Sequence, residues 1–136
     1  MKIFISYATA NQKIAEEICV YLEKKGKICW IAPRNITVGK EYGEEILKGI
    51  EQSDALVLVF SAESNRSQHV LREIERTVSK NIPIICFRVD ETELTKSLEY
   101  FLLSNQWLDA VGQPSAMLPV LDENLDKLGD CVSESA

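Results

Sequence analysis

The segment Asp54-Ala55-Leu56-Val57-Leu58-Val59-Phe60-Ser61 runs directly into Ala62-Glu63-Ser64-Asn65-Arg66-Ser67-Gln68-His69-Val70-Leu71-Arg72-Glu73-Ile74-Glu75-Arg76-Thr77. Its first half is an unbroken apolar run, the pattern of a strand covered on both faces. In its second half the period changes. Val70, Leu71, Ile74 and Val78 recur at the spacing of one buried helical stripe. At about 100° per residue the stripe centres near Ile74, and Glu73 falls on its border. His69 precedes Glu73 by one turn on the same edge. A carboxylate placed there can lean into a cleft at the end of a sheet while its helix stays packed.

Upstream of this segment, Lys2 to Ser6 reads as a first strand and residues 7–10 as a turn. Asn11 is placed to cap a helix over residues 12–25 that buries Ile14, Ala15, Ile18 and Leu22. Gly26 fits its stop. Residues 27–31 form a second strand. Residues 32–40 are a loop, broken by Pro33 and given backbone freedom by Gly39. A second helix over 41–52 turns Ile46, Leu47 and Ile50 inward. Downstream, the third helix ends near Lys80-Asn81, and residues 82–89 form a fourth strand with Pro83 tolerated near its start. Residues 90–95 are acidic and irregular, 94–103 suit a short helix, and 105–108 a short edge strand. A last helix over 115–128 lines up Leu118, Leu121, Leu125 and Leu128 and stops at Gly129. Residues 131–136 read as a fraying polar tail, which puts one domain at 1–130.

Strands alternating with helices predict an α/β fold with a mostly parallel five-stranded sheet covered on both faces. Ligands of such sheets bind beyond the carboxyl ends of the strands, near the point where strand order reverses. Three stretches are expected to converge there: Ser6-Tyr7-Ala8, Pro33 to Tyr42, and Ser61 to Glu73.

The 136 residues suit a single core, and an apolar content of 46% with 26% charged residues is ordinary for a globular chain. A net charge of −6 argues against nucleic acid or an anionic membrane surface as the main partner. Neither a signal peptide nor a membrane span is expected. The four cysteines, Cys19, Cys29, Cys86 and Cys131, make no C-x-x-C pair, and His69 is the only histidine, so no metal site is expected. Cys19, Cys29 and Cys86 lie among apolar neighbours and read as free thiols in a reducing, cytoplasmic setting. The chain has no phosphate loop, no G-x-G-x-x-G after the first strand and no G-x-S-x-G elbow. Phe60-Ser61 stands where a receiver domain would want an acidic residue.

Four stretches, in order and spacing, resemble the Toll/interleukin receptor (TIR) domain family, particularly its bacterial members. Phe4-Ile5-Ser6-Tyr7 is similar to the family's opening box. Trp30-Ile31-Ala32-Pro33-Arg34-Asn35-Ile36-Thr37-Val38-Gly39 resembles its BB loop. Asp54 to Ser61 is similar to its third strand and serine. His69-Val70-Leu71-Arg72-Glu73 resembles its W-x-x-x-E helix, with His69 in place of the tryptophan. The resemblance implies a flavodoxin-like three-layer fold. It also implies one of two activities. Some members cleave NAD+ at the nicotinamide–ribose bond, giving ADP-ribose or a cyclic isomer used in anti-phage signalling. Others are non-catalytic scaffolds that associate with other TIR domains.

On the catalytic reading Glu73 is the residue the reaction needs, NAD+ is a substrate rather than a cofactor, and no metal is implied. The resemblance assigns substrate binding to Ser6, Tyr7, Ala8, Pro33, Arg34, Asn35, Ile36, Tyr42, Ser61 and His69. Among these, Tyr42 and His69 are candidates to stack on a base, and Arg34 to meet the pyrophosphate. The family's tandem arginines after the first strand are absent, since Ala8 and Thr9 stand there. Implied partners are other TIR domains, through residues 32–42, and a fused or associated sensor or effector domain. A nucleoside deoxyribosyltransferase-like enzyme with a ribose-attacking glutamate is a weaker alternative.

Overall fold

In the computed structural model, which describes residues 1–31, 42–103 and 105–135, five strands form one all-parallel sheet in the order β2-β1-β3-β4-β5. The strands are β1 (Lys2–Ser6), β2 (Ile28–Ile31), β3 (Ala55–Phe60), β4 (Ile84–Arg88) and β5 (Gln106–Asp109). The helices are α1 (Gln12–Lys24), α2 (Tyr42–Glu51), α3 (Ala62–Asn65), α4 (Gln68–Ser79), α5 (Lys96–Leu102) and α6 (Leu118–Ser135), with single 3₁₀ turns at Thr9–Asn11 and Ser115–Met117. β3 is the central strand and every one of its residues is buried, as its unbroken apolar run predicted.

Period-2 alternation along each strand splits the core into two layers. Ile3 and Ile5 of β1, with Ala55, Val57 and Val59 of β3, face α1 and α6. Phe4 of β1, with Leu56, Leu58 and Phe60 of β3, faces α2, α4 and α5. This is a flavodoxin-like sandwich. Strand order reverses between β1 and β3, where Ser6 is in register with Leu58. Ser6 follows Phe4 on the α2–α4 side by the same alternation.

Several local details differ from expectation. The Asn11 side chain does not cap α1; its Oδ1 accepts a hydrogen bond from Ser61 Oγ at 2.6 Å, tying the loop after β1 to the loop after β3. The helix after β3 is two pieces. Ser61 caps α3 by accepting from the Ser64 N–H, and Ser67 caps α4 by accepting from the Val70 N–H. Each cap contributes about 1 kcal/mol and fixes where the helix begins. The buried face of α4 is Val70, Glu73, Ile74 and Thr77, whereas Leu71 is half-buried and Val78 is exposed. Ile14 is likewise half-buried, and Leu47 is exposed.

The expected stop at Gly129 is absent, and α6 continues to Ser135. Lys27, just before β2, holds α6 through Asp122 and Asp126, at 2.5 and 2.7 Å. Burial opposes its charge, but hydrogen bonds to the two aspartates outweigh burial and hold its pKa above the usual lysine value. Cys19, Cys29 and Cys86 are buried and outside any disulfide, as expected, and burial pushes the Cys86 thiol up to about 12.

Gly26, at φ +90°, supplies the left-handed residue that ends α1. Gly49 serves a different purpose. The Trp30 ring stacks on Phe4 at 4.8 Å and lies against the bare Cα of Gly49, where a Cβ would come within 2.7 Å of the indole. Gly49 is what lets α2 close onto the end of β2. We therefore expect Gly49→Ala to destabilise the chain by about 1–3 kcal/mol, despite alanine's better helix propensity. The denaturant midpoint should fall, with a changed tryptophan emission; an unchanged midpoint would show that Trp30 moves aside freely.

Candidate functional site

Glu73 is buried, and its carboxylate accepts a 2.6 Å hydrogen bond from the Ser6 hydroxyl. The bond follows from the local structure on both sides. Ser6 is the last residue of β1, turned by strand alternation toward α4. Ser67 sets the first turn of α4, which turns residue 73 inward one turn after His69. Thr77, on the next turn of the same face, satisfies its buried hydroxyl by donating to the Glu73 carbonyl at 2.7 Å. Glu73 is therefore no solvated helix-edge acid. Arg76, a possible partner by spacing, pairs with Glu51 and ties α4 to α2 instead.

Burial raises the Glu73 pKa from the ordinary carboxylate value to about 7, with the Ser6 hydrogen bond pulling the other way. A carboxyl group poised near neutrality at the end of a parallel sheet is a candidate catalytic group on physical grounds.

Above it lies a cavity of about 340 Å³ between α2 and α4. Gly43, Ile46, Leu47 and Ile50 form one wall, at helical spacing along α2, and His69, Arg72 and Glu73 form the other along α4. One side is apolar and the other carries charge, so a ligand with a flat apolar part and a polar sugar suits it.

The structure brings together some of the residues named from sequence. Ser6, His69 and Glu73 meet at this cavity or beneath it. Tyr7 packs against the opposite core layer, on the α1–α6 side. Ala8 precedes the 3₁₀ turn. Ser61 is buried and engaged with Asn11 and Ser64. Tyr42 is the first residue of α2, and its side chain lies outside what is described, as do Pro33, Arg34, Asn35 and Ile36. Sequence reasoning missed the cavity role of Gly43, Ile46, Leu47, Ile50 and Arg72. Ile46, Leu47 and Ile50 read as an ordinary core stripe, and Gly43 was not singled out. Arg72 stood in plain view three residues after His69, on the same helical edge.

A sequence model described as TIR domain matches residues 3–122. No curated protein sequence matches the chain. Among solved structures, the TIR domain of the Toll-related receptor TRR-2 from Hydra magnipapillata superimposes with a TM-score of 0.73 at 21% identity, over 92% of this chain and 94% of that one. The CMP N-glycosidase BcmB of Clostridium botulinum gives 0.65 at 15% identity, covering 90% and 99% of the two chains. The TIR domains of the activated Roq1 resistosome, which directly recognises the pathogen effector XopQ, give 0.63 at 18%, covering 96% and 76%. With nearly its whole sheet and its flanking helices inside the matched span, the chain belongs to the TIR domain family.

Proposed function

We propose that this TIR domain is an NAD+ nucleosidase that cleaves the nicotinamide–ribose bond, with Glu73 as the catalytic carboxylate. The observation that carries the reading is a buried glutamate on the wall of a half-apolar cavity, held by Ser6 and with a pKa of about 7. Nicotinamide in NAD+ is a cationic leaving group, so it departs with the bonding electron pair and needs no general acid. Positive charge then develops on the ribose ring. A fixed carboxylate beneath the ring stabilises that charge in a dry site, where it is worth far more than in water. The Ser6 hydroxyl holds Oε1, and the reaction uses Oε2 to accept a ribose hydroxyl or to take the proton of the attacking water. Water attack gives ADP-ribose. Attack by an internal adenine or hydroxyl group gives a cyclic isomer.

The apolar wall of Ile46, Leu47 and Ile50 suits the nicotinamide face, and His69 is placed at the cavity edge to stack. Residues 32–42 are proposed to contact a second TIR domain, making activity depend on self-association. The setting is cytoplasmic signalling in defence against phage.

Nicotinamide release from NAD+ by the concentrated chain should fall at least about 10³-fold in Glu73→Gln, the scale lost when transition-state charge goes unanswered. Chromatography of the products distinguishes hydrolysis from cyclisation. Turnover that survives the substitution, or is absent from the wild-type chain under crowding, would favour the scaffold reading. A glycosyl–Glu73 ester detected by mass spectrometry would favour the deoxyribosyltransferase-like reading.

The pH dependence has a definite sign. Glu73 must be ionised to act, so kcat/KM should rise with pH through about 7 and level off above it. Ser6→Ala removes a hydrogen bond that favours the ionised form, and the acid limb should move to higher pH. A limb that stays in place would show that Ser6 does not tune Glu73.

Stability should run the opposite way. The folded-state pKa is raised, so the contribution of the neutral acid is fully present below about 4.5 and lost as pH rises through about 7, a difference of about 3 kcal/mol. Glu73→Gln should therefore be more stable than wild type at pH 8, by up to about 3 kcal/mol, and the gap should close toward pH 4.5. Equal unfolding midpoints at both pH values would refute a buried, strained carboxylate.

A further inference from the structure

Arg72 lines the cavity beside Glu73, and among the described residues no hydrogen bond or ion pair engages its guanidinium. It is exposed, unlike its neighbour, and so stands on the charged wall of the groove toward solvent. The opposite wall, Gly43, Ile46, Leu47 and Ile50, offers no ionic partner for it. One turn further along α4, Arg76 is taken by Glu51 across the two helices. The chain carries a net charge of −6, so an anionic ligand approaching this groove meets an unfavourable overall field and needs a local cation.

We infer that Arg72 is a substrate-anchoring residue that binds the phosphate attached to the ribose whose glycosidic bond is cut. This rests on the nucleosidase reading and adds to it a requirement for a phosphorylated ribosyl substrate. The geometry suits the chemistry. The sugar sits over Glu73 with its base against the apolar α2 wall, and its phosphate points outward toward the rim, where Arg72 is. A guanidinium presents paired N–H donors to two phosphate oxygens at once, and an exposed arginine needs little desolvation to do so. Holding the phosphate fixes the sugar over the carboxylate, so Arg72 contributes chiefly to binding and orientation rather than to charge stabilisation at the bond that breaks.

The test compares wild type, Arg72→Gln and Arg72→Lys with NAD+ and with nicotinamide riboside, which has the same scissile bond and no phosphate. A charge-assisted hydrogen bond contributes about 1.5–3 kcal/mol, so Arg72→Gln should raise the KM for NAD+ by roughly tenfold to a hundredfold, with a smaller fall in kcat. Arg72→Lys should recover part of that loss, because it keeps the charge but not the paired geometry. Arg72→Gln should cost the reaction of nicotinamide riboside at least about fivefold less than it costs that of NAD+, since the riboside has no phosphate to lose. An unchanged KM for NAD+ in Arg72→Gln, or an equal loss with the riboside, overturns the assignment and leaves the nucleosidase reading standing. A wild-type chain that turns over neither compound overturns the nucleosidase reading, and the assignment falls with it.

Discussion

The hydrogen bond from Ser6 to Glu73 joins residues 67 apart in sequence at the point where the sheet changes direction. Everything near it is arranged so that a carboxylate can be buried at that position. Burying an ion without partners costs several kcal/mol, and proteins ordinarily neutralise the group or pair it. Here, among the described residues, Glu73 receives one neutral donor, Ser6, and no ion pair with a cation. The result is a carboxyl group whose pKa burial lifts to about 7. That condition is costly for folding and useful for chemistry, and the surrounding layers supply the stability that tolerates it.

Those layers are built from simple rules. Alternation along β1 and β3 sends one set of side chains to α1 and α6 and the other to α2, α4 and α5. Parallel pairing requires helical crossovers, and the reversal of strand order sends the helices after β1 and β3 to opposite faces. The gap this opens at the strand ends is where Ser6 lies. The Gly49–Trp30–Phe4 stack draws α2 down onto the sheet, and Glu51 with Arg76 ties α2 to α4. Between those fastenings the two helices leave a groove. On the far side, Lys27 secures α6 with two aspartates.

The groove divides its character between two helices. The α2 stripe at 43, 46, 47 and 50 is apolar and takes no part in charge. Among the described residues, the α4 edge at 69, 72 and 73 carries the ionisable groups that line the cavity. Because Arg72 and Glu73 are adjacent in sequence, they point about 100° apart and work at different depths. Glu73 faces the end of β1, and Arg72 faces outward. A short stretch of one helix thus carries a buried carboxyl group and an exposed guanidinium along one wall of the cavity.

Much of this was legible in the sequence. The apolar run 55–60 announced a strand buried on both faces, and the alternation of strands and helices announced the parallel sheet. The four family-like stretches singled out Ser6 and Glu73, although helical periodicity alone put Glu73 on a border and gave Leu71 and Val78 its place in the core. Sequence periodicity records which residue types recur, and it cannot register a polar residue that is buried because a distant strand end supplies its partner. The same limit explains the rest. Gly129 reads as a helix stop, yet α6 continues past it, held to the body of the fold by Asp122 and Asp126 on Lys27. Asn11 reads as a cap, yet Ser61 claims its side chain. Leu47 reads as core, yet it is exposed and lines the cavity between α2 and α4. Local pattern fixed the elements and their inward faces. The depth of Glu73, its bond to Ser6 and the walls of its groove were decided only when separate elements met, because burial and electrostatics depend on distances the chain acquires on folding.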